Sequence, residues 1–437
     1  MIRSIQIDPA FPYYRSRSPE SVAEELKLAG YGTVHIFVTN ECAVDRTLVM
    51  ALRRQDIEVW ALTLGNGTFV TSHLPTGWQQ WRMGLLKKVD DGYTRLSPFC
   101  REYVAWKKQA LARLVATVPF DGLEIAEPYL PEWNGLESGT YGDIGPHAQR
   151  EFEREYGAAI PDLRDPSAPT YYAKQPELYG KWVEFRVRGV NRYVAEMING
   201  AGGVREARPG IRIATWTLAI DAGPDSLAKL RELQGNDAVS MARAVKPDVH
   251  YLQTHWPDWG RADLPPSYVR GYKPFIESLR AANPQLPIGI QTDIGSAKRM
   301  IRSRAWLDSF EQEVRLLGCE TWTAYEYQLG GALYDEAPRL LWAVKFGTDS
   351  AVLSFHKRIS KPDAMTLRFA VRTGSRVLEL QPSRLHTDGN RLFLYGVKLP
   401  EHSCELGVQG VCDTPELLHF PPAKTNRCDA YQWIFLA

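Results

Sequence analysis

The chain has 437 residues, long for one domain, and its 44% hydrophobic and 24% charged residues are those of an ordinary globular protein. A net charge of +1 lacks the basic excess that nucleic acid or an anionic membrane surface favours, so neither is expected as a partner. No apolar run reaches the roughly 20 residues needed to cross a bilayer, and the chain enters a strand at once at MIRSIQIDPAF, which implies a cytoplasmic protein unless a leader was removed.

Apolar strand-like runs alternate with amphipathic helix-like runs as far as about Lys345, the pattern of a parallel α/β sheet. The expected strands are Ser4 to Asp8, Thr33 to Thr39, Glu58 to Leu64, Gly122 to Ala126, Ile211 to Thr217, Asp248 to Thr254, Pro287 to Thr292 and Glu320 to Tyr325. Eight such units predict a (β/α)8 barrel over residues 1–345. A doubly wound open sheet is the alternative, but its glycine-rich first turn is replaced here by DPAFPYYR.

After the first strand, SPESVAEELKLAGYG offers a serine cap, Pro19 at the first helical position and a terminal glycine. The run from Tyr179, YGKWVEFRVRGVNRYVAEMI, reads as a long amphipathic helix carrying Arg186. Two connections, Gly65 to Ser97 and Pro128 to about Gln175, are long enough to predict functional loops. Beyond Phe346 the runs shorten and alternate between turns such as Lys361-Pro362-Asp363 and Thr387-Asp388-Gly389-Asn390, predicting a small all-β sandwich over residues 346–437. The segments LSFHKRIS, DAMTLRFAV, GNRLFLYGVKL and CELGVQGVCD resemble bacterial immunoglobulin-like domains appended to surface and polysaccharide-processing proteins.

Six cysteines show no zinc-type spacing and read as small buried residues; in an exported protein Cys404, Cys412 and Cys428 could include a disulfide. Thirteen tryptophans and twenty tyrosines gather near several strand ends, where flat rings stack on sugar faces.

The ends of the expected strands present Asp8, Asn40 with Glu41, Asn66, Glu127, Trp216, His255 with Trp256, Asp293 and Glu326. No nucleophilic-serine elbow, HExxH pair, Walker loop or histidine cluster accompanies them, so hydrolysis by paired carboxylates, without cofactor or metal, is the economical expectation. Glu127, in FDGLEIAEPYLPEWNG beside Tyr129 and Trp133, is the expected general acid; the plainer reading is a loop glutamate capping the next helix. Glu124 is its inward neighbour, able to raise its pKa by like charge or to pair with an arginine. Asp293 and Asp8 compete as the second carboxylate, with Glu326 beside Asp8 in a closed barrel. Asn40, Trp133, Tyr129, Trp216, His255, Trp256, Tyr325 and Arg186 are candidate substrate contacts, each with core packing as the rival role.

Glu127 on strand four and Asp293 on strand seven resemble the acid and nucleophile positions of the large clan of barrel glycosidases, although Ala126 stands where that clan has asparagine. A first-strand aspartate, Asp8, with a barrel and a C-terminal sandwich resembles the inverting sialidases of glycoside hydrolase family 156, which pair their aspartate with a histidine where this chain has Glu127 and Tyr129. The resemblance implies a glycosidase, possible sialidase-like action and Arg186 as a carboxylate ligand. The rivals are a non-catalytic carbohydrate-binding barrel and a metal-assisted hydrolase or lyase using Asp8, His255 and Asp293. A carbohydrate is the expected partner, with a homodimer as a further possibility.

Overall fold

The computed structural model describes residues 2–363, 365–401 and 403–436. Eight parallel strands pair in chain order: β1 Ser4–Ile7, β2 Thr33–Val38, β3 Glu58–Leu64, β4 Gly122–Ala126, β5 Arg212–Ala219, β6 Val249–Thr254, β7 Ile288–Asp293 and β8 Thr321–Tyr325. β1 and β8 lie side by side, and the Asp8 backbone N–H donates to Glu326 Oε1 at 3.2 Å across that seam. The first unit is therefore a (β/α)8 barrel, and the alternation that predicts it is the alternation that builds it.

Strand periodicity separates two faces. Ile5, Ile7, Val59, Ala61, Leu123 and Ile125 face outward and join the main core under the helices, while Trp60, Leu62, Ala126, Trp216 and Tyr251 form a separate cluster in the barrel lumen. The helices follow ordinary end chemistry. In α1, Pro19–Leu28, the Ser18 side chain accepts the Ser21 N–H at 3.1 Å, Pro19 opens the first turn, and Gly30 leaves with φ +87°. α2, Arg101–Thr117, and α3, Pro176–Asn199, are the longest of the outer layer.

The C-terminal unit consists of two four-stranded antiparallel sheets around their own core of Leu353, Phe355, Phe369, Leu394 and Leu406, among others. One sheet contains β9 Leu340–Lys345, β10 Ser350–Phe355, β13 Arg384–Asp388 and β14 Arg391–Tyr395. The other contains β11 Arg368–Thr373, β12 Arg376–Leu380, β15 Glu405–Gln409 and β16 Gln432–Phe435. Its first strand is Leu340–Lys345, so the sandwich takes in residues ahead of the change in pattern at Phe346. Cys404, Cys412 and Cys428 form no disulfide, and all six cysteines are free thiols. Cys412 lies opposite Arg427, not Cys428, in an isolated antiparallel bridge beyond the sheet strands.

The sandwich grips the segment between β1 and α1. Asp388 Oδ1 accepts the Ser18 N–H at 2.7 Å, Asn390 Oδ1 accepts from Arg17 at 3.2 Å, and Arg391 pairs with Glu24 at 2.5 Å. Arg358 donates to the carbonyls of Tyr13 (2.6 Å) and Arg15 (2.7 Å). At the centre, Glu25 is buried and receives Arg17 at 2.7 Å, the Tyr13 hydroxyl at 2.6 Å and the Tyr327 hydroxyl at 3.0 Å.

Candidate functional site

A cavity of about 330 Å³ opens at the C-terminal end of the barrel strands, the end at which barrels of this type carry their chemistry. Glu127, the first residue after β4, lies on its wall. Its backbone has φ +56°, a left-handed conformation that turns the chain sharply out of the strand and is uncommon for a side chain of this size. Gly65, just past β3, backs this turn: its N–H donates to the Ala126 carbonyl at 2.7 Å, and a Cβ there would meet Pro128 at 2.8 Å. The Tyr103 and Tyr193 hydroxyls both donate to the Gly65 carbonyl, tying the corner to α2 and α3.

Burial raises the pKa of the Glu127 carboxyl, against the opposing pull of the Gln253 amide and Arg95. Gln253 Nε2 donates to Glu127 Oε1 at 3.1 Å. Gln253, the last inward-facing residue of β6, was not among the expected site residues, although parity with Tyr251 points it inward. The long loop after β3 supplies Phe69, Tyr93, Asp91 and Arg95, also unforeseen individually. Phe69 and Tyr93 pack with ring centroids 4.8 Å apart, and Arg95 forks onto Asp91 at 3.0 and 2.7 Å.

His255, Trp256 and Tyr129 line the cavity, as do Asn66, Gln234 and Trp259. His255 is 4% exposed, its ring edge-on to Trp133 at 5.7 Å, and burial lowers its pKa to about 3, so it is neutral at ordinary pH. Trp133 stands behind it, with the Lys229 ammonium 5.8 Å from its ring centroid. Asn40 caps its own loop, accepting the Cys42 N–H at 2.9 Å, and is not on the cavity wall. Neighbouring Glu41 is buried against Lys107 and His73; burial opposes its ionisation, but the Lys107 charge and the hydrogen bonds from His73 and Lys107 together outweigh it and bring the pKa down to about 2.

Beside the cavity, Tyr325 is surrounded by acids: burial first, then the charges of Glu326, Asp8, Asp293 and Glu127 in turn, push its phenol up. Asp8 is partly exposed, and burial raises its pKa; one oxygen accepts the Ala10 N–H at 2.9 Å. Asp293 closes its own turn. Its Oδ1 accepts the Gly295 and Ser296 N–H groups at 3.0 and 2.9 Å, and its Oδ2 takes the Ser296 hydroxyl. Glu326 is fully buried and accepts from Tyr14, the Asp8 N–H and the Gln328 N–H. Burial nevertheless raises its pKa to about 8.

Like Asn40, the residues Asp8, Asp293, Glu326, Tyr325 and Trp133 are not on the cavity lining, and three further expected site residues lie deeper in the protein. Glu124 sits deep in the lumen, where Oε1 meets His35 Nδ1 at 2.6 Å and Oε2 accepts Trp216 Nε1 at 2.9 Å; it is absent from the causes of the Glu127 shift. Trp216 is 1% exposed and serves that same lumen network rather than a sugar face. Arg186 is wholly buried beneath Tyr141, donating to the carbonyls of Glu232, Leu233 and Gly142. Nor do Asp8, His255 and Asp293 bring ligand atoms together as a metal set; among the described residues only Cys100, Glu102 and His147 do so, away from the cavity.

Glu326 carries a pH signature. Its folded pKa lies above the ordinary carboxyl value of 4.5, so between that value and about 8 the native state holds a proton that the unfolded state has lost. Its contribution to stability therefore falls as pH rises through that window. Denaturant titrations from pH 5 to 9 are expected to show this slope, and Glu326→Gln to remove it.

No known family model and no curated protein sequence matches the chain. Among solved structures, it is similar to the GH42 β-galactosidase Gan42B from G. stearothermophilus, at 13% identity and a TM-score of 0.51, over 75% of this chain and 51% of that one. It also aligns with an endo-β-1,4-mannanase from Thermotoga petrophila (11% identity, 100% and 97% covered, TM-score 0.40). A third match is the glycoside hydrolase domain of PelA from Pseudomonas aeruginosa (11%, 74% and 94%, TM-score 0.40). The chain spans about half the length of the galactosidase, and that likeness is one of barrel fold.

Proposed function

We propose that the protein is a glycoside hydrolase in which Glu127 is the general acid. The observation that carries this reading is a carboxyl raised in pKa by burial, in a barrel-mouth cavity lined by aromatic rings and amides. A raised pKa lets a carboxyl hold its proton to higher pH than an ordinary glutamate, from where it can deliver that proton to the leaving glycosidic oxygen. Tyr129, Trp256 and Trp259 offer ring faces to the sugar, and Gln253 holds the acid in place.

Asp8 is the better second carboxylate. Asp293 has both oxygens occupied by its own turn, whereas Asp8 has one oxygen without a donor among the described residues and keeps partial exposure. Glu326, through the Asp8 N–H, and the enclosed Tyr325 then act as positioning groups. With Asp8 as a base that activates water, the reaction inverts the anomeric centre. The sialidase-like version called on Arg186 for the substrate carboxylate, and Arg186 is committed to backbone carbonyls.

The test is a panel of aryl glycosides of common hexoses, hexosamines and acidic sugars incubated with the full chain. Phenol release from at least one member, with inverted product by proton NMR, is expected. Release from none would overturn the glycosidase reading; a retained anomer would remove Asp8 as base.

A further inference from the structure

The cavity beside Glu127 has a distinct charge balance. Its carboxylate and strongly basic side chains are Glu127, Glu132, Asp91 and Arg95, so Arg95 is the one cation among the described lining residues. Asp91 compensates the charge of that guanidinium in a two-pronged pair at 3.0 and 2.7 Å. A substrate carboxylate would have to share Arg95 with Asp91, and the site holds no second cation for it among the described lining residues. His255 provides no substitute charge, since burial keeps it neutral. What remains uncompensated on the wall is acidic: Glu132, whose Oε2 accepts only from the Thr140 hydroxyl at 2.8 Å, and Glu127 whenever it is ionised.

The uncharged groups add a second, independent observation. Among the described residues, Gln253 Oε1 and Gln234 Oε1 are buried carbonyl acceptors without a donor, and His255 Nε2 is a buried ring nitrogen likewise unpartnered. All three side chains line the cavity and are nine-tenths or more buried. Buried polar atoms are nearly always satisfied, so the two amide carbonyls call for a ligand rich in hydrogen-bond donors, while the histidine nitrogen donates or accepts according to its tautomer. Hydroxyl groups meet that need; an ammonium group meets it and the wall charge together.

We infer that this site takes a sugar without negative charge, and that a free amine on the ring strengthens binding relative to the parent hexose. The inference rests on the glycosidase reading for the location of the sugar, and it adds the substrate class. Glu132, with Gln234 and Gln253, is the group that reads the amine.

The test uses the full chain as Glu127→Gln, which is expected to bind a sugar without cleaving it. Calorimetric titration is run with methyl glycosides of the gluco, galacto and manno series, each as the hexose, the 2-amino-2-deoxyhexose and the uronic acid. In the series that binds, the amino sugar is expected to bind about threefold or more tighter than the hexose, and the uronic acid at least tenfold weaker. Glu132→Gln is expected to abolish the preference for the amine while retaining hexose binding. Equal or tighter binding of the uronic acid overturns the inference, and equal binding of amino sugar and hexose overturns its second half. Wild-type cleavage of an acidic glycoside that is lost in Glu127→Gln would leave the glycosidase reading standing and sink the charge assignment alone. Binding of no member in any series would sink both.

Discussion

Replacing Glu127 by glutamine is expected to lower kcat by about 10²- to 10⁴-fold on a substrate with a poor leaving group, the range for losing a positioned general acid. The defect should shrink on a dinitrophenyl glycoside, whose leaving oxygen needs no proton, and this contrast separates an acid from a residue that merely shapes the cavity. Folding should not suffer. Burial makes the ionised carboxylate unfavourable, and a neutral amide of the same shape removes that cost while still facing Gln253. A thermal midpoint equal to or above that of the parent, with activity lost, is the expected pair of results. Full activity on a poor leaving group would take Glu127 out of the acid role.

The second large effect is on stability. Arg17→Met is expected to destabilise the protein by about 3 to 5 kcal/mol, because it leaves Glu25 buried without its cation. Arg17 and Glu25 side chains are each 1% exposed, so solvent cannot replace the lost partner. The same guanidinium reaches Asn390 in the sandwich and Ser21 in α1, so one substitution loosens three elements. Urea titration followed by tryptophan fluorescence measures the loss. A midpoint within error of the parent would show that the pair contributes nothing net.

Much of the barrel was legible because parallel strands buried on both faces read as apolar runs, and all eight lie within two residues of their expected bounds. Depth along a strand was harder to read. β5 runs on to Ala219 rather than stopping at Thr217, and those two residues sink Trp216 from the mouth into the lumen. Gln253 carried a usable signal, since it shares parity with the inward Val249 and Tyr251 and lies one residue before the strand end at Thr254, where His255 and Trp256 follow. Arg95, Tyr93 and Asp91 had none: a loop without period gives no rule for which side chains turn toward the cavity. The corrections to Glu124 and Arg186 share a cause. Each is a charged residue satisfied by groups distant in sequence, and no local pattern reveals such partners.

The hold of the sandwich on residues 8–18 bears on how this chain could be rebuilt. The β1 exit that presents Asp8 leans through Tyr13, Arg15 and Ser18 on residues more than 300 positions downstream. A chimera joined at the linker would keep every barrel strand and still lose the surface against which that exit is cast. Grafting this mouth onto another scaffold therefore means moving two distant stretches of gene together, with the β10 and β13 edges travelling as the mould for Asp8.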